Sequence, residues 1–222
     1  MSIRTLVNPN ALETLDGPTP DRAPLRFHRR LPGYEATPLV DAPGLAEALG
    51  VGKVFVKDES SRLGLPAFKV LGASWAVYRA LEERLEDESF GDWEEIEDLK
   101  EKLSPLRQLS LVAATDGNHG RALAWVARLL GFGAKIFVPQ DMAAARREAI
   151  VHEGAEVIVV DGTYDDAVEI SAEERGLLIS DMSWPGYERI PSWVIEGYST
   201  MLWEIDDELE KRNEAGPDLV VV

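Results

Sequence analysis

The sequence has no cysteine, no long hydrophobic run and few basic residues for its acidic ones. Each shortage excludes something. Without cysteine there is no disulfide framework and no thiolate-ligated metal, and no metal site is expected. The lack fits a reducing compartment without demanding one. No apolar stretch approaches the roughly 20 residues that span a bilayer. The opening residues, MSIRTLVNPNALETLDGP, contain no apolar core of a secretory signal. A membrane partner is therefore not expected, and the cytoplasm is the expected location. Lys and Arg number 23 against 40 Asp and Glu, for a formal net charge of -17. Such a field repels a phosphate backbone, so nucleic acid is excluded as a partner. The sequence also lacks a GxGxxG turn, which removes a dinucleotide-binding reading.

What remains is ordinary globular material, 45% hydrophobic and 28% charged over 222 residues, enough for one large domain or two small ones. Residues 1–36, rich in Pro and Arg and poorly periodic, read as an extended arm laid over the domain. Leu45 to Leu49 fit a short helix stopped by Gly50 and Gly52, and Val54 to Lys57 a short strand. A helix starts near Lys69, with Val70, Ala73, Val77 and Leu81 at the spacing of one face. Residues 82–102 hold eleven acids against three bases. They read as a solvated helical hairpin or insertion rather than a metal or partner site. From Leu109 a unit repeats. Strands at 109–114, 134–138, 156–160 and 177–180 alternate with helices at 121–130, 142–153 and 164–175, each helix followed by Gly. This pattern predicts βαβ units and a parallel sheet covered by helices on both faces. A last helix is expected from about Pro191 to Arg212. The closing Pro217-Asp-Leu-Val-Val-Val222 reads as a buried strand with no loop after it. Because termini are normally exposed, the chain is expected to be cut short, with a further βα unit beyond Val222.

Two constellations carry chemistry. In residues 55–69, FVKDESSRLGLPAFK, a strand and a polar loop lead to Lys69 at a helix start, where the macrodipole disfavours a cation. A desolvated lysine there is expected to have a lowered pKa and to form Schiff bases with carbonyls. On helix position alone an ordinary surface lysine is the better reading. In residues 114–127, ATDGNHGRALAWVA, a strand, a two-glycine turn and a helix start form a ligand-binding corner crowded with Asp116, Asn118 and His119. The plain alternative is a capped helix turn with a satisfied histidine.

Together the two motifs resemble the fold-type II pyridoxal-phosphate enzymes, the tryptophan synthase β and threonine dehydratase group. The lysine loop Ala67-Phe68-Lys69 and the turn Thr115 to Gly120 carry the likeness. Within the group the likeness is greatest to the diaminopropionate ammonia-lyases, through ATDGNHGRALAWVARLLG, DGTYDDAV (161–168) and SDMSWPGYERIPSWVIEGYSTM (180–201). Asp116, where other members of the group have a small hydroxyl residue, is the most discriminating feature. The resemblance implies a tryptophan synthase β-like α/β fold, here incomplete, and pyridoxal 5'-phosphate as cofactor. It implies 37–104 as part of a larger cofactor-binding domain, 105–204 as a small α/β domain, and 205–222 as a return to the larger one. Lys69 would carry the cofactor, with Phe68, Gly117, Asn118 and His119 also contacting it. Asp116, raised in pKa by burial, would act as general base beside Lys69, so that D and L substrates are both accepted. Asp181 would bind the distal ammonium or assist its departure, although a strand-end aspartate also caps turns. Trp184, Tyr187 and Trp193 would line or cover the site, unless they are core. The implied reaction is α,β-elimination of 2,3-diaminopropionate to pyruvate and ammonia, with a small amino acid as the substrate partner.

The glycine-rich phosphate loop of the group follows a strand like PDLVVV and is absent. The chain alone is therefore expected to be poorly active, with a separate C-terminal part, and a homodimer, as further partners. The alternatives are a serine or threonine dehydratase-like or β-replacement enzyme, and a cofactor-binding fragment without turnover.

Overall fold

The computed structural model describes residues 21–85 and 90–221. The first element corrects the extended arm. Pro24 opens the short helix α1 (Ala23–His28), whose Leu25, Phe27 and His28 are buried. Phe27 meets the rings of Tyr78 at 4.6 Å, Trp75 at 5.5 Å and Trp93 at 6.0 Å. This segment is thus part of the core, too short for its periodicity to show. Residues 1–20 of the expected arm lie outside the described residues.

Strand β1 (Leu39–Asp41), which sequence patterning does not predict, pairs antiparallel with β2 (Phe55–Lys57) as a separate ribbon. Between them α2 (Pro43–Leu49) ends where Gly50 turns left-handed at φ 68°. Helix α3 (Lys69–Leu85) is buried almost all round from Val70 to Leu81. The acidic stretch that follows is not solvated throughout. Phe90, Trp93, Ile96 and Leu99 recur every third residue among the acids, and all four are buried. They seat α4 (Ile96–Lys102) on the core with its charged side chains outward. Residues 86–89 of that stretch lie outside the described residues.

The expected βα repeat follows: β3 (Ser110–Ala114), α5 (Asn118–Leu130), β4 (Gly133–Pro139), α6 (Ala144–His152), β5 (Glu156–Val160), α7 (Tyr164–Glu173) and β6 (Leu177–Leu178). All pairings are parallel, in the order β5-β4-β3-β6. Alternate residues of β3 face opposite layers: Leu111 and Ala113 join the main core with α3 and α5, while Val112 and Ala114 join Phe137, Val160 and Ala167 of α7. Both faces are therefore covered, which is why the strands are predominantly apolar. The chain runs outward from β3 to β4 and β5, then returns to β6 on the other side of β3. This reversal makes a switch point at the carboxyl ends of β3 and β6, where open α/β sheets bind ligands.

Helix α8 (Arg189–Lys211) crosses α3 at two glycines. A Cβ on Gly72 would meet Tyr198 Cε1 at 2.4 Å, and one on Gly197 would meet Leu71 O at 2.6 Å. Among the described residues the expected terminal strand is not present. Leu219, Val220 and Val221 are exposed and belong to no strand, having no strand edge beside them among the described residues.

Candidate active site

The site forms at the switch point. Where β3 ends, buried Thr115 accepts hydrogen bonds through Oγ1 from the N–H groups of Gly117 (3.0 Å) and Gly120 (3.1 Å). This caps α5, which begins at Asn118 rather than Arg121, so Asn118, His119 and Gly120 form its first turn. Glycine is required at 120, because a Cβ would lie 2.3 Å from Thr115 Cγ2 and 2.7 Å from Ile136 Cγ2. The N–H groups of Asn118 and His119 have no acceptor within the helix by its geometry, which suits an anionic ligand. Asp116 and Asn118 are exposed, so the burial expected at Asp116 is not present. Arg146 holds this turn by donating to the Asp116 carbonyl at 3.0 Å.

On the neighbouring strand, Ile179 N–H donates to Val112 O at 2.8 Å and extends the sheet beyond β6. Tyr187 clamps the segment: its hydroxyl donates to Leu178 O (2.8 Å) and accepts from Ser180 N–H (3.0 Å). Trp184 stacks on Tyr187 at 4.4 Å. Asp181 follows. Trp193 is instead buried in the main core, with Arg79 and Arg189 over its ring.

Lys69 arrives from the third side. The preceding loop is fixed by Arg62, whose side chain is fully buried. Its guanidinium donates to both carboxylate oxygens of Glu204 at 2.7 Å, to Glu59 at 2.6 and 2.8 Å, and to Thr37 Oγ1 at 2.9 Å. Leu63, at φ 51°, makes the tight bend that follows. Lys69 Nζ then donates to Asp181 Oδ2 at 3.0 Å. Phe68 meets Tyr198 edge-on at 5.0 Å, and Lys69 Nζ lies 5.5 Å from the Tyr198 ring centre. The Tyr198 hydroxyl is buried without a hydrogen-bond partner.

The electrostatics overturn one expectation. Burial does act to lower the Lys69 pKa, but the hydrogen bond to Asp181 and the proximity of Tyr198 outweigh it, and the amine titrates above the usual lysine range. It is an ammonium at neutral pH, not a neutral amine. Asp181 is the counterpart. Burial pushes it up, yet the His119 ring and Lys69 hold it below the ordinary aspartate range. Tyr164, at the start of α7, is pushed up to about 12 by burial and by Asp181 and Asp116, with Lys69 opposing. Tyr164 therefore lies within electrostatic reach of all three charged residues.

Of the expected residues, Lys69, Asp181 and His119 are in one chain of contacts, with Phe68 beside Lys69 and Gly117, Asn118 and Asp116 on the facing turn. His119 is buried, its Nε2 at 2.8 Å from Ile179 O and its Nδ1 3.8 Å from Asp181 Oδ2. Sequence reasoning missed Tyr164, Tyr198 and the Arg62–Glu204 pair. The first two stand inside the segments DGTYDDAV and IEGYST, where an unexplained tyrosine one or two residues after a glycine was the available signal. Among the described residues no group of three or more His, Asp or Glu is arranged to hold a metal.

Comparison with known proteins agrees with this geometry. The pattern described as pyridoxal-phosphate dependent enzyme matches residues 30–222. The diaminopropionate ammonia-lyase of Salmonella typhimurium is 40% identical over 206 residues, 89% of this chain and 50% of that protein. Its Escherichia coli counterpart is 40% identical over 199 residues, 86% of this chain and 47% of that one. The crystal structure of diaminopropionate ammonia lyase from Escherichia coli in complex with D-serine superposes with a TM-score of 0.80 at 36% identity, over 86% of this chain and 49% of that chain. The chain thus spans about half the length of the relatives it matches.

Proposed function

Because the chain belongs to the pyridoxal-phosphate dependent enzyme family, we propose that it supplies the lysine-bearing part of an ammonia-lyase that converts 2,3-diaminopropionate, D or L, to pyruvate and ammonia. The observation that carries this reading is the Lys69–Asp181 contact at 3.0 Å, facing the turn that bears Asp116 and Asn118. The residues present fit the cofactor: a half-buried amine at a helix start, a helix N-terminus with free amides, and an unpartnered His119 Nδ1 behind them.

Pyridoxal phosphate, when bound, supplies an electron sink for the substrate's α carbon. Lys69 would hold it through its amine, Asn118 would hydrogen-bond its ring oxygen, and Phe68 and Gly117 would flank it. His119 would reach it only through Asp181, since its ring nitrogens face Ile179 and Asp181. Asp116 and Lys69 would serve as the two bases, one for each stereoisomer. Asp181 already binds an ammonium, that of Lys69. Once Lys69 gives up its charge, the same carboxylate is ready for the β-ammonium of a diamine. A serine or threonine dehydratase has no such cation to bind, so Asp181 and Asp116 favour the diamine. Residues 37–104 and 205–222 would form the larger part of the fold and 105–204 the smaller. A cytoplasmic homodimer completes the reading; among the described residues no helix is long and apolar enough to cross a membrane.

The test is to incubate the full chain with pyridoxal phosphate, reduce with borohydride, and map the modified peptide. Lys69 is expected to carry the label, and Lys69→Ala to lose both label and visible absorption band. Pyruvate release should be greater from 2,3-diaminopropionate than from serine. An unchanged band in Lys69→Ala defeats the cofactor assignment. Label without turnover of either amino acid favours a cofactor-binding chain without catalysis.

A further inference from the structure

We propose that Tyr187 is a positioning residue: its hydroxyl takes the part of a neighbouring strand beside β6 and thereby keeps the Asp181 carboxylate on Lys69. This deepens the reading of Lys69 as the cofactor-holding amine with Asp181 as its partner, and rests on it.

β6 has only two residues and ends the sheet order β5-β4-β3-β6, so among the described residues it has a strand on one side alone. Such an edge frays easily, because its outer N–H and C=O groups have no ladder. Backbone groups of successive strand residues point to opposite sides. Ile179 faces inward: its N–H donates to Val112 O at 2.8 Å, and its carbonyl lies 2.8 Å from His119 Nε2. Leu178 O and Ser180 N–H therefore face the outer side. There the Tyr187 hydroxyl donates to Leu178 O at 2.8 Å and accepts from Ser180 N–H at 3.0 Å. A residue of a parallel strand would serve the same two groups, one with its N–H and the other with its C=O. A hydroxyl is donor and acceptor at once, so a single atom supplies both bonds. It keeps its proton at neutral pH, because burial pushes the Tyr187 pKa up to about 12.

The tyrosine is itself held by the turn that follows Asp181. Gly186, at φ 90°, bends the chain back. Tyr187 N–H then donates to Trp184 O at 2.8 Å, and the Trp184 ring stacks on that of Tyr187 with 14° between the planes. Ser180 Oγ accepts from Met182 N–H at 3.1 Å, a bond that spans Asp181. Asp181 thus has a fixed residue on each side, and its Oδ2 meets Lys69 Nζ at 3.0 Å. The titratable and charged groups around this contact are His119 of α5, Tyr164 of α7, Tyr198 of α8 and Asp116 of the turn before α5. The Tyr187 hydroxyl bonds to none of them, so its loss reaches Lys69 by releasing Asp181. A carboxylate that is free to move off the ammonium stabilises it less, and the Lys69 midpoint falls.

The test is the pH profile of Lys69 modification by trinitrobenzenesulfonate, read from the mapped Lys69 peptide of the full chain without cofactor. In Tyr187→Phe the Lys69 midpoint is expected to fall by about half a unit, quickening modification at pH 8 about threefold. Ser180→Ala loses the bond to Met182 and is expected to shift the midpoint the same way by less. In an Asp181→Asn background Tyr187→Phe should add no further shift, a coupling that a general loosening of the fold would not show. Thermal melting checks that each variant folds. A folded Tyr187→Phe with the wild-type midpoint overturns the proposal, as does an equal fall in the Asp181→Asn background. If Tyr187→Phe does not fold, Ser180→Ala is judged by the same two criteria. None of these measurements contains pyridoxal phosphate. A failure of cofactor binding at Lys69 is therefore read separately, from the borohydride labelling.

Discussion

Thr115 shows how much a single side chain does at this site. Its Oγ1 serves two amides of the turn at once, and its methyl fills the space that only glycine at 120 leaves open. Thr115→Val keeps the shape and removes the acceptor. We expect a loss of about 1–2 kcal/mol in urea unfolding, with Thr115→Ser recovering most of it; equal stability of the valine variant would contradict the capping role. Asp181→Asn acts on charge instead. It removes the negative charge that favours the Lys69 ammonium and leaves only an amide oxygen to accept from it, so the Lys69 midpoint should fall and its modification at pH 8 should quicken several-fold. An unchanged modification rate would mean that Asp181 does not hold the lysine's proton. The residue types of the site were legible: Lys69, Asp116 and Asn118 stand in recognisable local motifs. The charge state of Lys69 was not. Its partner is 112 residues away in sequence, and no spacing rule brings Asp181 to it.

At the scale of elements, the βα repeat was readable because the strands of this sheet are predominantly apolar and each connecting helix closes near a glycine. Boundaries moved by a turn where a polar motif could serve as loop or helix start, as at Asn118. The α3–α8 crossing was invisible, because it depends on two small residues, Gly72 and Gly197, 125 positions apart. Close approach there brings Tyr198 over Lys69. Gly197→Val is expected to cost about 1–3 kcal/mol or more, since its side chain would enter the backbone of α3. It should also weaken cofactor uptake by shifting Tyr198. Gly44 in α2 is the contrast. A Cβ there meets nothing within 4 Å. Gly44→Ala should leave cofactor uptake alone and stabilise the fold by about 0.5–1 kcal/mol. Thermal melts of the two variants side by side give the comparison; similar losses in both would show that helix crossing is not the cause.

For the molecule as a whole, acidity raises two opposing effects. The net charge of -17 at pH 7 produces self-repulsion, which lowering the pH relieves. Against this stands His28, which is fully buried where α1, α3 and α8 meet. Its Nδ1 lies 2.7 Å from Thr200 Oγ1, and its Nε2 lies 3.0 Å from Leu71 O and 3.1 Å from Ser74 Oγ. Burial, with Arg62 adding to it and the Leu71 carbonyl opposing, lowers its pKa from 6.5 to about 3. A group with a depressed folded pKa contributes stability that is present above its unfolded value. That stability is lost as pH falls, because the unfolded chain takes up a proton that the folded chain refuses. Below pH 6.5 the loss is about 1.4 kcal/mol per unit, or about 2 kcal/mol at pH 5. At reference pKa values only about five of the 40 carboxylates take up a proton by pH 5, so relief of repulsion is partial there and the His28 effect is expected to dominate. Glu204, held below the ordinary glutamate range by Arg62 and Lys57 against its burial, adds a loss of the same sign at lower pH. Urea unfolding at pH 7, 6 and 5 should therefore show stability falling with acid. His28→Gln, less stable at pH 7, should show a flatter dependence between pH 6.5 and 5. An equal slope in that variant would assign the acid sensitivity to other groups.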